Sequence, residues 1–262
     1  MLVRLIRERL DPWLARPDPT APALHAVSDH LAGSVPVRLY RPGPEARDLL
    51  VFLHGGGLVS SSLATHDGVC RRLAAGTGFN LLAVDYRLAP EATYPAAHDD
   101  AHAAIAWAAG GGLPFAPRRM LAGGDSAGGL LALGAALRRA REGAALDGLA
   151  LFYPLLALDP VETDPALFRI ARRWMRRTYV GRGEAEELAF PAPEAALPRT
   201  FIASGGRDPT RLDAKRLVAS SPAVVEHVEP RATHGFLNLA AVSPLAREQA
   251  DRTIAALRAA FA

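Results

Sequence analysis

The sequence has one cysteine, one lysine and two asparagines among its 262 residues. A single thiol, Cys70, excludes an internal disulfide framework and a cysteine-rich metal site. No apolar run reaches the roughly 18 residues that a membrane-spanning helix requires. Charged residues interrupt the apolar N-terminal stretch 1–10, which is not typical of a signal peptide. We therefore expect a cytoplasmic protein with no membrane span and no metal.

The excess of positive charge is small for a chain of this length. Lys and Arg total 30 against 27 for Asp and Glu, so the formal net charge is +3. Among the basic residues only Lys215 is a lysine, and Ala, Arg, Gly and Pro are abundant, which is the composition that a GC-rich genome imposes. Nucleic-acid-binding proteins concentrate basic residues on one face, whereas these arginines are spread along the chain. We expect no nucleic-acid partner.

Apolar runs typical of buried strands alternate with helical patterns. The predicted strands are 24–30, 35–40, 49–54, 79–86, 118–124, 146–154, 200–204 and 223–229. The predicted helices are 65–75, 96–109, 126–142, 165–179 and 244–260. This alternation predicts one α/β domain over residues 1–262, with a mainly parallel central sheet and helices on both faces.

The alternation breaks at residues 155–198, which contain several prolines and one helical pattern. We interpret this segment as a small inserted lid, and residues 1–23 as a short N-terminal cap. On the lid helix, arginines recur on one side and apolar residues on the other. The arginines are Arg169, Arg172, Arg173, Arg176 and Arg177, and the apolar residues are Leu167, Ile170, Ala171, Trp174 and Met175. The pattern favours an apolar face packed on the domain beneath a solvated charged face. In the alternative, Trp174 and Met175 line a substrate pocket.

Residues 124–128 read Gly-Asp-Ser-Ala-Gly, which fits the pattern G-x-S-x-G. They lie between a predicted strand and a predicted helix, where a nucleophilic serine occupies a sharp turn. The two glycines allow the strand and the helix to pack closely around that turn. The helix N-terminus after Ser126 also favours a developing negative charge. Ser126 is therefore the candidate nucleophile.

A second glycine-rich turn, His54-Gly55-Gly56-Gly57, directly follows the predicted strand 49–54. Glycines allow backbone N–H groups to face a cavity with no side chain in the way. Fixed N–H groups stabilise the oxyanion of a tetrahedral intermediate. An ordinary glycine-rich turn is the alternative. A phosphate-binding loop is disfavoured because no Lys-Ser/Thr pair follows.

An activated serine needs a histidine base and a carboxylate that orients the imidazole. The expected chain order for this fold is Ser, then Asp or Glu, then His. His234 follows the last predicted strand in a loop, whereas His227 lies inside that strand. Asp208 follows the strand 200–204 at the same sheet edge, and the alternative acid, Asp213, lies beyond that turn. We favour Asp208 and His234.

Five motifs together resemble those of the hormone-sensitive-lipase-like esterases, bacterial family IV of the α/β hydrolases. They are HGGG at 54–57, YRLAPE at 86–91, GDSAGG at 124–129, Asp208-Pro209 and His234-Gly235-Phe236. The resemblance covers residues 35–260. It implies the α/β-hydrolase fold and hydrolysis of carboxylic esters, of short to medium acyl chains, through an acyl-enzyme on Ser126. It also implies that no cofactor or metal is used, and that the oxyanion donors are the N–H groups of Gly56, Gly57 and Ala127.

The sequence departs from the family pattern at three places. Leu58 stands where a large aromatic residue is usual, which is expected to widen the pocket. The second aspartate of the family motif D-P-L-x-D comes one position late, at Asp213. The N-terminal segment is shorter than in many members. We predict that Leu58, Trp174, Met175 and Phe236 line the substrate pocket.

Other functions would use the same side chains. Acyl transfer and the hydrolysis of amides or arylformamides need the same three residues, so the sequence does not separate them from ester hydrolysis. A non-catalytic ligand receptor is disfavoured because Ser126, Asp208 and His234 are all present. The expected partner is a small-molecule ester, and a homodimer is an open alternative.

Overall fold

The computed structural model describes residues 2–160, 164–181 and 197–262, and within them eight strands form one sheet. The strands are β1 (Ala26–Ala32), β2 (Val35–Arg41), β3 (Asp48–Leu53), β4 (Asn80–Val84), β5 (Arg119–Asp125), β6 (Gly148–Phe152), β7 (Thr200–Gly205) and β8 (Val224–Glu229). Their order is β1-β2-β4-β3-β5-β6-β7-β8. The pairs from β4 to β8 are parallel, and β2 pairs antiparallel with β1 and β4. The prediction of a mainly parallel sheet is confirmed.

Helices connect these strands at the predicted places. They are α1 (Leu2–Arg9), α2 (Asp11–Leu14), α3 (Asp67–Thr77), α4 (Ala96–Ala109), α5 (Ala127–Arg141), α6 (Ala166–Tyr179), α7 (Arg211–Ser220), α8 (Phe236–Leu239) and α9 (Pro244–Ala260). Every strand and helix assigned a range from the sequence is present. The sequence analysis assigned no range to α1, α2, α7 or α8, of which α2 and α8 are four residues long. Among the described residues, no helix has the length and apolar character that crossing a membrane requires.

The sheet divides the apolar core into two clusters, one on each face, and β3 contributes side chains to both. All six of its residues are buried. Leu49, Val51 and Leu53 belong to one cluster, and Leu50 and Phe52 belong to the other. Successive side chains of a strand point to opposite faces, so an uninterrupted apolar run serves both clusters. Buried residues of α4 and α5 complete the first cluster, and those of α3 and α9 complete the second.

Local signals place the ends of the covering helices. Ser243 caps α9 by accepting a hydrogen bond from the Ala246 N–H at 3.3 Å, and Pro244 occupies the first helical position. Helix α3 ends at Gly78, whose φ of 78° is left-handed. These ends fix where each connection returns to the sheet.

The predicted lid, 155–198, is described in part. Residues 161–163 and 182–196 lie outside the described residues, as does Met1 of the predicted N-terminal cap. The described lid contains α6, close to the predicted helix 165–179.

Helix α6 presents a different face to the domain from the one that its pattern predicts. Leu167 and Ile170 are 79% and 60% exposed, whereas Arg172 is completely buried together with Met175 and Tyr179. The prediction of a solvated arginine face is therefore wrong at Arg172. Buried carboxylates surround this guanidinium, and periodicity along α6 alone does not reveal partners from other segments.

The parallel strands end at one edge of the sheet, where the predicted site residues follow them. His54 comes directly after β3, and Ser126 directly after β5. Asp208 lies in the loop after β7, and His234 lies in the loop after β8. In open α/β sheets, ligands bind beyond this edge.

Gly128 offers a test of how tightly this edge is packed. A Cβ atom there would overlap the carbonyl oxygens of Leu53 and His54. We expect Gly128→Ala to lower the free energy of unfolding by about 3 kcal/mol, because the backbone of β3 or α5 must move. Urea unfolding measures the change. Gly43→Ala is the matched control, since a Cβ at Gly43 meets nothing within 4 Å. Equal unfolding midpoints for the two variants would contradict the prediction.

Candidate active site

Ser126, His234 and Asp208 form a chain of hydrogen bonds. Ser126 Oγ lies 2.8 Å from His234 Nε2, and His234 Nδ1 lies 2.8 Å from Asp208 Oδ2. With its proton on Nδ1, the imidazole donates to the carboxylate and accepts the serine hydroxyl proton at Nε2. This arrangement can activate a hydroxyl group as a nucleophile.

Ser126 occupies a strained turn between β5 and α5. Its φ is 50°, in the left-handed region that residues with a side chain seldom adopt. Its N–H donates to the Phe152 carbonyl at 3.0 Å. Its own carbonyl accepts from the N–H groups of Gly129 at 3.0 Å and Leu155 at 2.9 Å. These three backbone hydrogen bonds hold the serine in its unfavourable conformation.

Asp208 is held by the residues that follow it. Its Oδ1 accepts from both the N–H and the hydroxyl of Thr210, each at 2.8 Å, which leaves Oδ2 for His234. The Asp208 carboxylate is fully buried, whereas the His234 side chain is 40% exposed. Asp208 therefore holds the Nδ1 side of the imidazole, and the exposed part of the ring faces the cavity.

The two alternative residues make other contacts. Asp213 accepts from the Leu156 N–H at 2.9 Å and pairs with Arg172 at 2.8 Å. His227 Nε2 lies 3.0 Å from Glu229 Oε1 on the same strand. Neither Asp213 nor His227 joins the hydrogen-bonded chain.

The glycine-rich turn after β3 folds back on itself. Gly56 and Gly57 have φ values of 115° and 64°. The Gly56 carbonyl accepts from the N–H groups of Val59 at 3.2 Å and Ser60 at 3.1 Å. A Cβ on Gly56 would overlap the Ser60 carbonyl, so this turn requires glycine. In the described part of the chain, no loop or turn carbonyl accepts a backbone hydrogen bond from the N–H groups of Gly56, Gly57 and Ala127.

Asp125 ties this turn to the nucleophile. Its Oδ1 accepts from the Gly55 N–H at 2.7 Å and lies 3.3 Å from His66 Nε2. Burial acts to raise the pKa of Asp125, but His66 and the Gly55 N–H outweigh burial, so the pKa lies below its usual value. The charged carboxylate thus holds the turn beside Ser126. Sequence reasoning missed this role, although Asp125 directly precedes the serine.

Comparison with known proteins agrees with this geometry. A family model described as alpha/beta hydrolase fold matches residues 50–238. Esterase LipI of Mycobacterium tuberculosis is 36% identical, in an alignment covering 98% of this chain and 88% of LipI. The chain belongs to the hormone-sensitive-lipase-like α/β hydrolases. Carboxylesterase NlhH of the same species is 37% identical to this hydrolase, covering 87% of it and 79% of NlhH. The crystal structure of esterase LipW from Mycobacterium marinum superimposes on it with a TM-score of 0.86 and 32% identity, covering 99% and 90% of the two chains.

The side chains of Ser126 and His234 open into a cavity of about 410 Å³. Gly56 and Gly57 also line it. Its apolar wall is formed by Leu10, Leu14, Leu155, Phe168, Met175 and Leu239. The wall therefore combines the N-terminal segment, the lid helix, the loop after β6 and α8.

Only one of the four predicted pocket residues lines this cavity. Met175 does, and a Cβ on Gly57 would lie 3.1 Å from its sulfur. Leu58, Trp174 and Phe236 are not among the described residues that line it. Leu58 and Phe236 are buried in the two opposite core clusters, and Trp174 packs against the first of these clusters.

The N-terminal segment contributes wall residues that sequence reasoning missed. Leu10 and Leu14 are four residues apart, on either side of the start of α2. Arg7 anchors this segment by donating to the Val59 carbonyl at 2.7 Å and to both carboxylate oxygens of Glu91 at 2.8 Å. The segment thus attaches to the residues that follow the glycine-rich turn.

Potential metal ligands do not cluster in the described residues. No group of three or more His, Cys, Asp or Glu side chains there could hold a metal ion.

His54, at the start of the glycine-rich turn, should make the hydrolase less stable in acid. Burial lowers the pKa of His54 to about 3, and the neighbouring His66 adds to the shift. In the unfolded chain the imidazole takes up a proton below about pH 6.5, and the folded state resists this uptake. The contribution of neutral His54 to stability is therefore complete above pH 6.5 and is lost as the pH falls toward 3.

We expect His54→Gln to weaken this pH dependence. Between pH 7 and pH 5 the variant should lose about 2 kcal/mol less unfolding free energy than the parent protein, because glutamine does not titrate there. Urea unfolding at both pH values measures the difference. His25→Gln, at an exposed position, is the control. An unchanged pH dependence in His54→Gln would refute the prediction.

Proposed function

We propose that the hydrolase cleaves small carboxylic esters, of short to medium acyl chains, through an acyl-enzyme on Ser126. The observation that carries the proposal is the 2.8 Å contact between Ser126 Oγ and His234 Nε2, with Asp208 behind the imidazole. The esterase and carboxylesterase names of its relatives support the same reaction.

In the first step, Ser126 Oγ attacks the ester carbonyl carbon while His234 Nε2 takes the hydroxyl proton. Asp208 keeps the Nδ1 proton in place and stabilises the imidazolium. The negative charge on the former carbonyl oxygen is stabilised by the N–H groups of Gly56, Gly57 and Ala127. Of these residues, Gly56 and Gly57 line the cavity.

The intermediate then collapses, and the alcohol leaves with the proton from His234. The acyl group remains on Ser126. A water molecule attacks the acyl carbon while His234 accepts a proton from it. The acid departs, and the proton returns to Ser126 Oγ.

The cavity supports a substrate of modest size. Its volume of about 410 Å³ lies toward the lower end of the range for small-molecule sites. Leu155, Phe168 and Met175 offer an apolar surface to an acyl or alkoxy group.

The alternative reactions differ in their acceptor or their substrate. An acyltransferase would divert the acyl group from water to an added alcohol or amine. An amide or arylformamide hydrolase would prefer amides to esters of the same acid. Product analysis with a competing alcohol, and paired ester and amide substrates, separate these possibilities.

Ser126→Ala tests the nucleophile. We expect kcat/KM for p-nitrophenyl butyrate to fall by about 10⁴-fold or more, because no acyl-enzyme can form. Covalent labelling by a fluorophosphonate should disappear as well. Ser34→Ala, at an exposed turn position, is the control and should behave like the parent protein. Retention of more than a trace of turnover and labelling in Ser126→Ala would reject the proposal, and a parent protein that never labels would favour a receptor.

We also propose that two copies of the hydrolase associate through β8. This strand has one neighbour, β7, in the described sheet, so its outer edge is open to pairing. Val225 on β8 is 54% exposed.

Light scattering after size exclusion tests this association. We expect the parent protein to have the mass of a dimer and Val225→Lys to shift toward the monomer, because a buried ammonium opposes pairing. Val242→Lys is the control, at a side chain that is 62% exposed outside the strands. A monomeric parent protein at all concentrations would reject the dimer.

A further inference from the structure

Arg172 of α6 is a fully buried cation. Its side chain is 0% exposed and forms ion pairs with Asp164 at 2.9 Å and with Asp213 at 2.8 Å. It also donates to the Ala157 carbonyl, and its guanidinium lies 4.6 Å from the Phe168 ring centroid. Both carboxylates are themselves completely buried. We call these three charged side chains the Arg172 cluster.

Such a cluster is a weak source of stability. Removing one cation and two carboxylates from water carries a desolvation cost that their mutual attraction only partly offsets. Apolar side chains of similar volume often replace a buried ion pair with no loss of stability. Ion pairs instead fix the relative orientation of the segments that they join, since a planar guanidinium pairs with carboxylates in only a few orientations.

The cluster joins the lid helix to two segments at the sheet edge. Asp213 belongs to the first turn of α7 and also accepts from the Leu156 N–H. Leu156 and Ala157 follow β6, beside the cavity residue Leu155. Through Arg172, α6 is therefore tied to the loop after β6 and to the helix that follows Asp208.

On α6, Arg172 lies between the two side chains by which the helix reaches the cavity. Phe168 is one turn before it, and Met175 is almost one turn after it. Both line the cavity, and Met175 lies against Gly57 of the glycine-rich turn. Any rotation or shift of α6 would move both wall residues relative to Ser126.

We propose that Arg172 is a positioning residue that sets the cavity wall. Its ion pairs with Asp164 and Asp213 hold α6 in the orientation that brings Phe168 and Met175 against the substrate. The substrate's acyl or alkoxy chain is then selected by this wall. The inference rests on the proposed ester hydrolysis.

A first variant, Arg172→Lys, keeps the charge but cannot pair with both carboxylates and the carbonyl in one geometry. Two substrate series are compared: p-nitrophenyl acetate with the hexanoate, and methyl butyrate with hexyl butyrate. In at least one series, the preference for the longer chain in kcat/KM should change by about fivefold, the scale on which apolar pockets discriminate chain lengths. The change should lie in KM, with kcat altered less than about twofold, because wall contacts form in the bound ground state as well.

A second variant separates positioning from stability. Asp164→Asn/Arg172→Met/Asp213→Asn removes all three buried charges while nearly keeping the volume. We expect it to melt within about 5 °C of the parent protein, because the cost of burying three charges disappears together with their attraction, and the amide oxygen at position 213 can still accept from the Leu156 N–H. It should nevertheless show the altered chain preference. Arg173→Lys, at the next and exposed position of α6, is the matched control and should keep the parent preference.

The outcomes are distinct. Unchanged chain preference in a folded Arg172→Lys or in the folded triple variant would overturn the positioning role. An equal fall in kcat for every ester with KM unchanged would overturn it too. If neither variant folds, the cluster serves folding and the proposal is rejected. A parent protein without ester turnover would instead reject the proposed function.

Discussion

The contact between the start of α5 and the end of β3 is the constraint on which the site depends. A Cβ on Gly128 would overlap the carbonyl oxygens of Leu53 and His54, so the two backbones touch with no side chain between them. Ser126 immediately precedes α5, and the glycine-rich turn immediately follows β3. Close packing of these two elements therefore brings the proposed nucleophile and the proposed oxyanion donors to one place.

A second layer of interactions orients the groups that this contact brings together. Asp125 holds the Gly55 N–H at 2.7 Å, and Thr210 occupies one oxygen of Asp208 so that the other faces the imidazole. Each of these carboxylates is buried and its charge is matched by hydrogen-bond donors. The site is thus preorganised by the protein itself, which is the condition under which fixed donors stabilise a developing charge most effectively.

Two parts of the cavity wall, the N-terminal segment and α6, lie outside the alternating strand and helix pattern, and an arginine attaches each of them. Arg7 binds the N-terminal segment to Val59 and Glu91. Arg172 binds α6 to Asp164 and Asp213. A guanidinium can serve several acceptors at once, so one side chain anchors a whole helix. The sequence contains many other arginines. Arg7 and Arg172 differ from them in the partners that they bind, and their place in the sequence does not reveal this difference.

The sequence by itself determined the order of the main strands and helices and the parallel sheet. It also identified Ser126, Asp208 and His234 as candidate site residues. They depend on local signals: apolar runs, turn glycines and the position of polar residues just after each strand. The tertiary structure alone decided which side of α6 is buried and which residues form the cavity wall. Arg172 is buried because it pairs with Asp164, just before α6, and with Asp213, which is 41 residues away in the sequence. Leu58 and Phe236 enter the core because neighbouring elements cover them. Such contacts depend on how separate elements pack, and periodicity within one element carries no information about its partners.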